Sequence, residues 1–195
     1  MFDEIDYLNL CDEVQNCENC FLCKHQFNDK IVGRKTKLSL EFLEDKNKCL
    51  ILWIGQNPYH SDRSIIESVH KTFGRNDGTI LRKLCGDTLL KFSAFTNLIR
   101  CSTDKNIANI SIKKCLLWLE KDVNLIKPKY LIFLGKISSN YFNKKFGDKI
   151  ITPKYTIYFL PHPGTFKYHK NDYFLQLYFK TKEELEKDIH GIFNI

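Results

Sequence analysis

Apolar residues follow two patterns along this chain. Short continuous runs are bounded by Gly, Pro or polar residues, and longer segments repeat apolar residues every three or four positions. The first pattern is typical of buried strands and the second of amphipathic helices. We predict strands over residues 49–54, 92–99, 130–134 and 156–160. We predict helices over residues 3–22, 79–91, 112–126, 138–146 and 182–193.

The alternation of strands and helices determines the expected fold class. Strands that are separated by helices favour parallel pairing, because a parallel strand needs a crossover connection. We therefore predict an α/β fold, a three-layer α/β/α sandwich around a central, mainly parallel four-stranded sheet. No linker or repeat divides the chain, so residues 1–195 are expected to form a single domain. A chain of 195 residues can bury a sizeable core without disulfides.

Polar residues lie at or directly after the ends of three of the predicted strands. These polar segments are Gly55 to His60, Phe95 to Asn97 and His162 to Gly164. Open α/β sheets bind their ligands at the carboxyl ends of the strands. The three segments are therefore the candidate functional site, with amide, phenol and imidazole groups as its chemistry.

Four of the eight cysteines have a spacing that suits a metal centre. Cys17 and Cys20 are separated by two residues, and Cys101 and Cys115 flank a polar loop. Four thiolates brought together would hold either a zinc ion or an iron–sulfur cluster. The alternative is that Cys23 completes a local trio with Cys17 and Cys20, and that the later pair are core residues. We expect Cys23 to be a neighbour of the centre and not a ligand.

Other features limit the partners and the location. With 30 Lys and Arg against 23 Asp and Glu, the net charge is +7. This charge suits a polyanionic partner, although a lysine-rich surface also simply keeps a protein in solution. No run of apolar residues is long enough to span a membrane, and the first residues do not form a signal peptide. We expect an intracellular protein, cytoplasmic or nucleoid-associated, with no membrane partner.

Six segments resemble motifs of the uracil-DNA glycosylase superfamily, most closely its iron–sulfur families four and five. They occur in the order of the family, at residues 16–22, 72–81, 95–101, 115–119, 126–135 and 161–163. The resemblance implies an enzyme that flips uracil out of DNA and hydrolyses its N-glycosidic bond, leaving an abasic site for base excision repair. It also implies a four-iron, four-sulfur (4Fe-4S) cluster, with zinc as the alternative, on the ligands Cys17, Cys20, Cys101 and Cys115. The expected partner is uracil-containing DNA, single- or double-stranded, bound by a monomer.

The resemblance also implies roles for the polar strand ends. Asn57 and His162 are the expected catalytic residues, and the expected substrate-binding residues are Gly55, Gln56, Tyr59, Phe73 and Asn97. The segment from Gly55 to His60 is a hybrid of the family motifs, because it resembles family one but has Asn57 where family one has its catalytic Asp. An amide cannot deprotonate water, so two alternatives stay open. One is a glycosylase of the same fold for another deaminated or modified base, and the other is an inactive DNA-binding relative.

Overall fold

A five-stranded sheet forms the centre of the chain in the computed structural model, which describes residues 2–19, 38–57, 75–101, 109–167 and 172–193. Within these ranges the strand order is β2-β1-β3-β5-β4. The first four strands in this order are parallel, and β4 pairs antiparallel with β5. The strands are β1 Ile51–Gly55, β2 Ser93–Asn97, β3 Tyr130–Leu134, β4 Lys149–Ile151 and β5 Thr156–Leu160.

The predicted strands were recognisable because the sheet is covered on both faces. Every position of β1, β2 and β3 is buried, and such strands read as continuous apolar runs. The prediction of a mainly parallel sheet is confirmed, but the sheet has one strand more than the four predicted. The additional strand β4 is short and largely exposed at the sheet edge, so it has no apolar run that could reveal it.

Five helices surround this sheet within the described residues: α1 Glu4–Gln15, α2 Arg75–Leu90, α3 Asn109–Ile126, α4 Lys136–Tyr141 and α5 Asp172–Phe193. Helix α1 begins after Asp3, whose carboxylate accepts hydrogen bonds from the first free N–H groups, and it ends earlier than predicted. Gly86 has a φ of 72° and interrupts α2. Helix α4 is shorter than predicted, and α5 begins about ten residues earlier than predicted.

The helices form one layer on each face of the sheet. Two core clusters show this, because each joins one face of the strands to a different pair of helices. Leu52, Ile54 and Phe133 face α1 and α3, whereas Trp53 and Ile132 belong to the cluster that includes α2 and α5. The predicted three-layer α/β/α sandwich is confirmed.

Two cysteines outside the proposed thiolate centre lie in the core. Cys49 belongs to the cluster with α1 and α3, and Cys85 to the cluster with α2 and α5. Burial raises the pKa of the Cys49 thiol to about 12 and raises the pKa of Cys85 still further. Both thiols are therefore protonated near neutral pH and serve as small apolar side chains. None of the helices in the described ranges is long and apolar enough to cross a membrane.

Candidate functional site

The carboxyl edge of the parallel sheet brings the predicted polar segments together. The chain passes from β1 to β2 on one side and then to β3 on the other, so the strand order reverses between β1 and β3. Ligands of open α/β sheets bind in the crevice at such a reversal. Asn57 follows β1, Asn97 ends β2, and His162 follows β5, so all three lie along this edge.

Backbone hydrogen bonds join the end of β1 to the segment after β2. Gly55 is the register partner of Asn97. The Leu98 N–H donates to the Gly55 carbonyl at 2.8 Å, and the Ile99 N–H donates to the Gln56 carbonyl at 2.9 Å. Asn97 is 1% exposed, whereas Gln56 and Asn57 are half-buried. A buried amide thus stands beside an accessible strand end, which is an arrangement suited to binding a small polar group.

The conformation of His162 is set by the turn that follows it. The Gly164 N–H donates to Nδ1 of His162 at 3.1 Å, so Nδ1 accepts a hydrogen bond and the neutral ring carries its proton on Nε2. The Thr165 N–H and hydroxyl both donate to the His162 carbonyl, at 2.9 and 2.6 Å. The tautomer that the turn favours therefore offers an N–H donor at Nε2.

Gly135 allows the close packing beneath His162. It follows β3 with a φ of 95° and a ψ of 164°, a backbone conformation that is essentially restricted to glycine. A Cβ atom added to Gly135 would lie 3.3 Å from the His162 Cβ. The Gly135 N–H donates to the Leu160 carbonyl at 2.8 Å, which fixes this approach.

A buried ion pair involves Arg100, which follows Asn97 by three residues. Arg100 pairs with Asp122 of α3, and their side chains are 2% and 1% exposed. Asp122 also accepts a hydrogen bond from the Thr96 hydroxyl at 2.8 Å. Burial raises the pKa of Asp122, while Arg100 and Thr96 act in the opposite direction. This network was not predicted from the sequence, although an acidic residue within the apolar stripe of a helix is a usable signal.

Three of the four predicted metal ligands lie in the described residues. Cys101 and Cys115 are buried in the same apolar cluster, and Cys17 packs against that cluster. An ion pair between Glu13 and Lys121 holds the end of α1 against α3. Among the described residues, no three His, Cys, Asp or Glu side chains come close enough together to hold a metal ion.

Three predicted site residues have no description in the structure. Cys20, Tyr59 and Phe73 lie outside the described ranges. The chemistry of the thiol set fits a zinc ion or an iron–sulfur cluster, but the three described thiols do not come together as a metal-binding group, and Cys20 lies outside the described ranges. The metal centre and the roles of Tyr59 and Phe73 therefore stay predictions.

A match to a protein family shows which superfamily the chain belongs to. The model of the Uracil DNA glycosylase superfamily matches residues 43–188. The chain belongs to the uracil-DNA glycosylase superfamily. It is 29% identical over 153 residues to a type-4 uracil-DNA glycosylase from Saccharolobus solfataricus, over 76% of this chain and 63% of that protein. The chain thus spans about 63% of the length of this relative, and the resemblance to the family-four type is confirmed.

Two solved structures are also similar to this superfamily member. A point mutant of UNG from Nitratifractor salsuginis has a TM-score of 0.38 at 14% identity, over 70% of this chain and 74% of that chain. Wild-type SMUG2 from Pedobacter heparinus has a TM-score of 0.42 at 12% identity, over 95% of this chain and 99% of that chain. At these scores neither structure contributes to the assignment of site residues.

A Gly135→Ala substitution is expected to displace His162. Gly147 provides a matched control, because it also has a positive φ and its added Cβ would crowd Leu177 instead. Both alanine variants should lose about 1–3 kcal/mol of unfolding free energy from backbone strain. Only Gly135→Ala should shift the NMR signals of the His162 ring. Unchanged His162 signals in that variant would show that Gly135 does not position the ring.

Proposed function

We propose that this chain is a DNA glycosylase that flips uracil out of DNA and hydrolyses its N-glycosidic bond. The single observation that carries the proposal is the placement of Asn57, Asn97 and His162 along one carboxyl edge of the sheet. Membership of the uracil-DNA glycosylase superfamily supports the same reaction class. The proposed partner is uracil-containing DNA, single- or double-stranded, and the net charge of +7 supports a polyanionic ligand.

His162 is proposed to stabilise the leaving base. Hydrolysis of the N-glycosidic bond builds negative charge on the departing uracil, partly at O2. The Nε2–H of His162 is the proposed donor, because its Nδ1 accepts from the Gly164 N–H. A preorganised donor at a developing oxyanion is typically worth about 3–4 kcal/mol.

Asn97 is proposed to distinguish uracil from cytosine. Its amide offers an acceptor for the uracil N3–H and a donor for O4. Cytosine presents the reverse order of donor and acceptor on this edge. Because Asn97 is almost fully buried, a wrong base would leave polar groups unpaired in a site that water cannot easily reach.

Asn57 is proposed to orient the attacking water. Its amide holds water by hydrogen bonding but cannot accept the proton of that water. The reaction would therefore depend mainly on the charge that develops on the sugar and on stabilisation of the leaving base. This property of Asn57 also favours the second candidate function, which is excision of another deaminated or modified base by the same site.

Two aromatic residues complete the proposed pocket. Phe73 would stack on the flipped base and recover part of the cost of unstacking it, which is a few kcal/mol. Tyr59 would crowd C5 and exclude the methyl group of thymine. Both roles rest on the sequence motifs alone, since these residues lie outside the described ranges.

The thiolates of Cys17, Cys20, Cys101 and Cys115 are proposed to hold a 4Fe-4S cluster, with zinc as the alternative. Such a centre would supply a covalent cross-link between the end of α1, the segment after β2, and α3. Cys101 follows shortly after Asn97, so the cross-link would stabilise the segment that carries the base-reading amide. None of the proposed chemical steps passes through the metal.

Excision activity tests the catalytic roles. Uracil-containing single and double strands would be incubated with the protein, and abasic sites would be measured after cleavage with alkali. His162→Ala should lower kcat by about 100-fold or more, because the leaving base loses its donor. The matched control is His190→Ala, which removes an exposed imidazole on α5.

The Asn57 variants test the role of the water-orienting amide. Asn57→Asp should keep or raise uracil excision, because the carboxylate can accept a proton from water, whereas Asn57→Ala should lower it. The assigned roles would be wrong if both variants were equally inactive while His162→Ala kept full activity. Activity of the unchanged protein on another base, but not on uracil, would favour the second candidate function.

The relative rates of uracil and cytosine excision test the role of Asn97. Asn97→Asp should weaken uracil excision and admit cytosine, because a carboxylate cannot donate to O4 but accepts from the cytosine amine. The measurement is kcat/KM on matched strands that contain uracil or cytosine. Asn124→Asp makes the same chemical change on the exposed face of α3 and should leave the ratio unchanged. An unchanged ratio in Asn97→Asp would remove Asn97 from base recognition.

Metal content tests the thiolate centre. Cys101→Ala should lower the iron and sulfide bound per chain after purification without oxygen, because a ligand is lost. Cys49→Ala is the matched control, since Cys49 lies in the same apolar cluster and is similarly buried but is not a proposed ligand. Full iron in Cys101→Ala would contradict the assignment, and stoichiometric zinc in the unchanged protein would replace the cluster by the zinc alternative.

A further inference from the structure

The segment from Thr96 to Cys101 is fixed at two points by one carboxylate. Asp122 accepts from the Thr96 hydroxyl at 2.8 Å and pairs with the Arg100 guanidinium through the same oxygen, Oδ2. Thr96 directly precedes Asn97, and Arg100 follows it by three residues. The segment that carries the base-reading amide is thus tied to α3 on both sides of that amide.

The opposite side of this segment is tied to β1. The N–H groups of Leu98 and Ile99 donate to the carbonyls of Gly55 and Gln56. The backbone around Asn97 is therefore held by its bonds to β1 and, through Thr96 and Arg100, by the side chain of Asp122. The contacts with β1 belong to ordinary sheet geometry, whereas the contacts with Asp122 depend on one particular side chain.

A buried ion pair is an expensive way to hold a fold together. Removal of two charges from water costs free energy that their attraction often fails to offset, and apolar replacements of similar volume are often neutral or stabilising. The helix face around Asp122 is apolar, with Trp118, Leu119, Val123 and Ile126 all buried. An apolar pair would suit this environment, so stability alone does not account for Arg100 and Asp122.

Base selection gives a reason to fix this segment. An Asn amide that rotated by 180° about its last bond would exchange its donor and acceptor, and it would then match cytosine. Selection of uracil by Asn97 therefore requires one orientation of the amide and a constant position of its backbone. A displacement of about 1 Å in such a group can lower the rate by about a hundredfold.

We propose that Asp122 is a positioning residue for base recognition, which fixes Asn97 through its bonds to Thr96 and Arg100. This inference rests on the proposed function of Asn97 and deepens it. Asp122 acts through the segment and does not itself contact the substrate. If Asp122 has this role, its replacement should lower activity even in a variant whose stability is unchanged.

The double variant Arg100→Met, Asp122→Leu tests this separation. It removes both charges together, so its melting temperature should stay close to that of the unchanged protein, lowered only because the buried Thr96 hydroxyl loses its acceptor. We expect its kcat/KM for uracil to fall by about tenfold to a hundredfold even so. If the ion pair only stabilised the fold, a double variant with unchanged stability would also have an unchanged kcat/KM. Asp122→Asn keeps the shape of the side chain but leaves the buried Arg100 charge unpaired, so it is a second variant whose melting temperature should fall and whose activity is compared well below that temperature.

Ser93→Ala is the matched control. Ser93 lies at the other end of β2, where its buried hydroxyl accepts from the Trp53 Nε1–H at 2.9 Å and donates to the Leu89 carbonyl at 2.7 Å. Its loss should lower the melting temperature but leave kcat/KM unchanged. In an Asn97→Ala background, Asp122→Asn should add less than about a twofold further loss, because residues that act through one group are not additive.

The NMR signals of the Asn97 side-chain amide give a readout that is independent of activity. They should shift or broaden in the double variant and in Asp122→Asn, and remain unchanged in Ser93→Ala. Unchanged Asn97 amide signals in the double variant and in Asp122→Asn would overturn the inference. Loss of bound metal in these variants, with unchanged Asn97 amide signals, would overturn it as well. Absence of uracil excision by the unchanged protein would instead overturn the proposed function, while the amide signals would still decide the role of Asp122.

Discussion

Helices cover both faces of the central sheet, so β1, β2 and β3 contain no exposed position. Polar side chains with chemical roles are therefore excluded from most of each strand and are concentrated where the strands end. Because four of the strands are parallel, their carboxyl ends meet along one edge. This constraint places Asn57, Asn97 and His162 on the same side of the molecule, although they are distant in the sequence.

The local structure at this edge restricts the functional groups further. A turn after β5 fixes the tautomer of His162, and a glycine after β3 allows the chain to pass close to it. Backbone bonds to β1 and the side chain of Asp122 hold the segment around Asn97. Rigid placement of donors is the main requirement for stabilising a leaving anion and for rejecting the wrong base. The described part of this edge is thus preorganised at His162 and around Asn97.

Strands were easier to predict from the sequence than the ends of helices. The bounds of β3 and β5 agree with their apolar runs at residues 130–134 and 156–160, since burial on both faces leaves a continuous signal. The start of α5 was missed because aromatic residues lie on several sides of it, and Tyr173 and Phe179 are each 53% exposed. In this first part of the helix the apolar residues are nearly continuous, so the helical period is obscured. Strand β4 was missed for the related reason that an exposed edge needs no apolar run.

The sequence by itself determined the fold class, the family resemblance and the residue types at the ends of the strands. These properties depend on local patterns, such as a buried run followed by Gly55 or the two prolines around His162. Only the tertiary structure decided that Asp122 pairs with Arg100 and Thr96, that Gly135 lies against His162, and that Cys49 and Cys85 lie in separate clusters. Such contacts join positions far apart in the chain. Their partners are set by the packing of helices on the sheet, which no local pattern encodes.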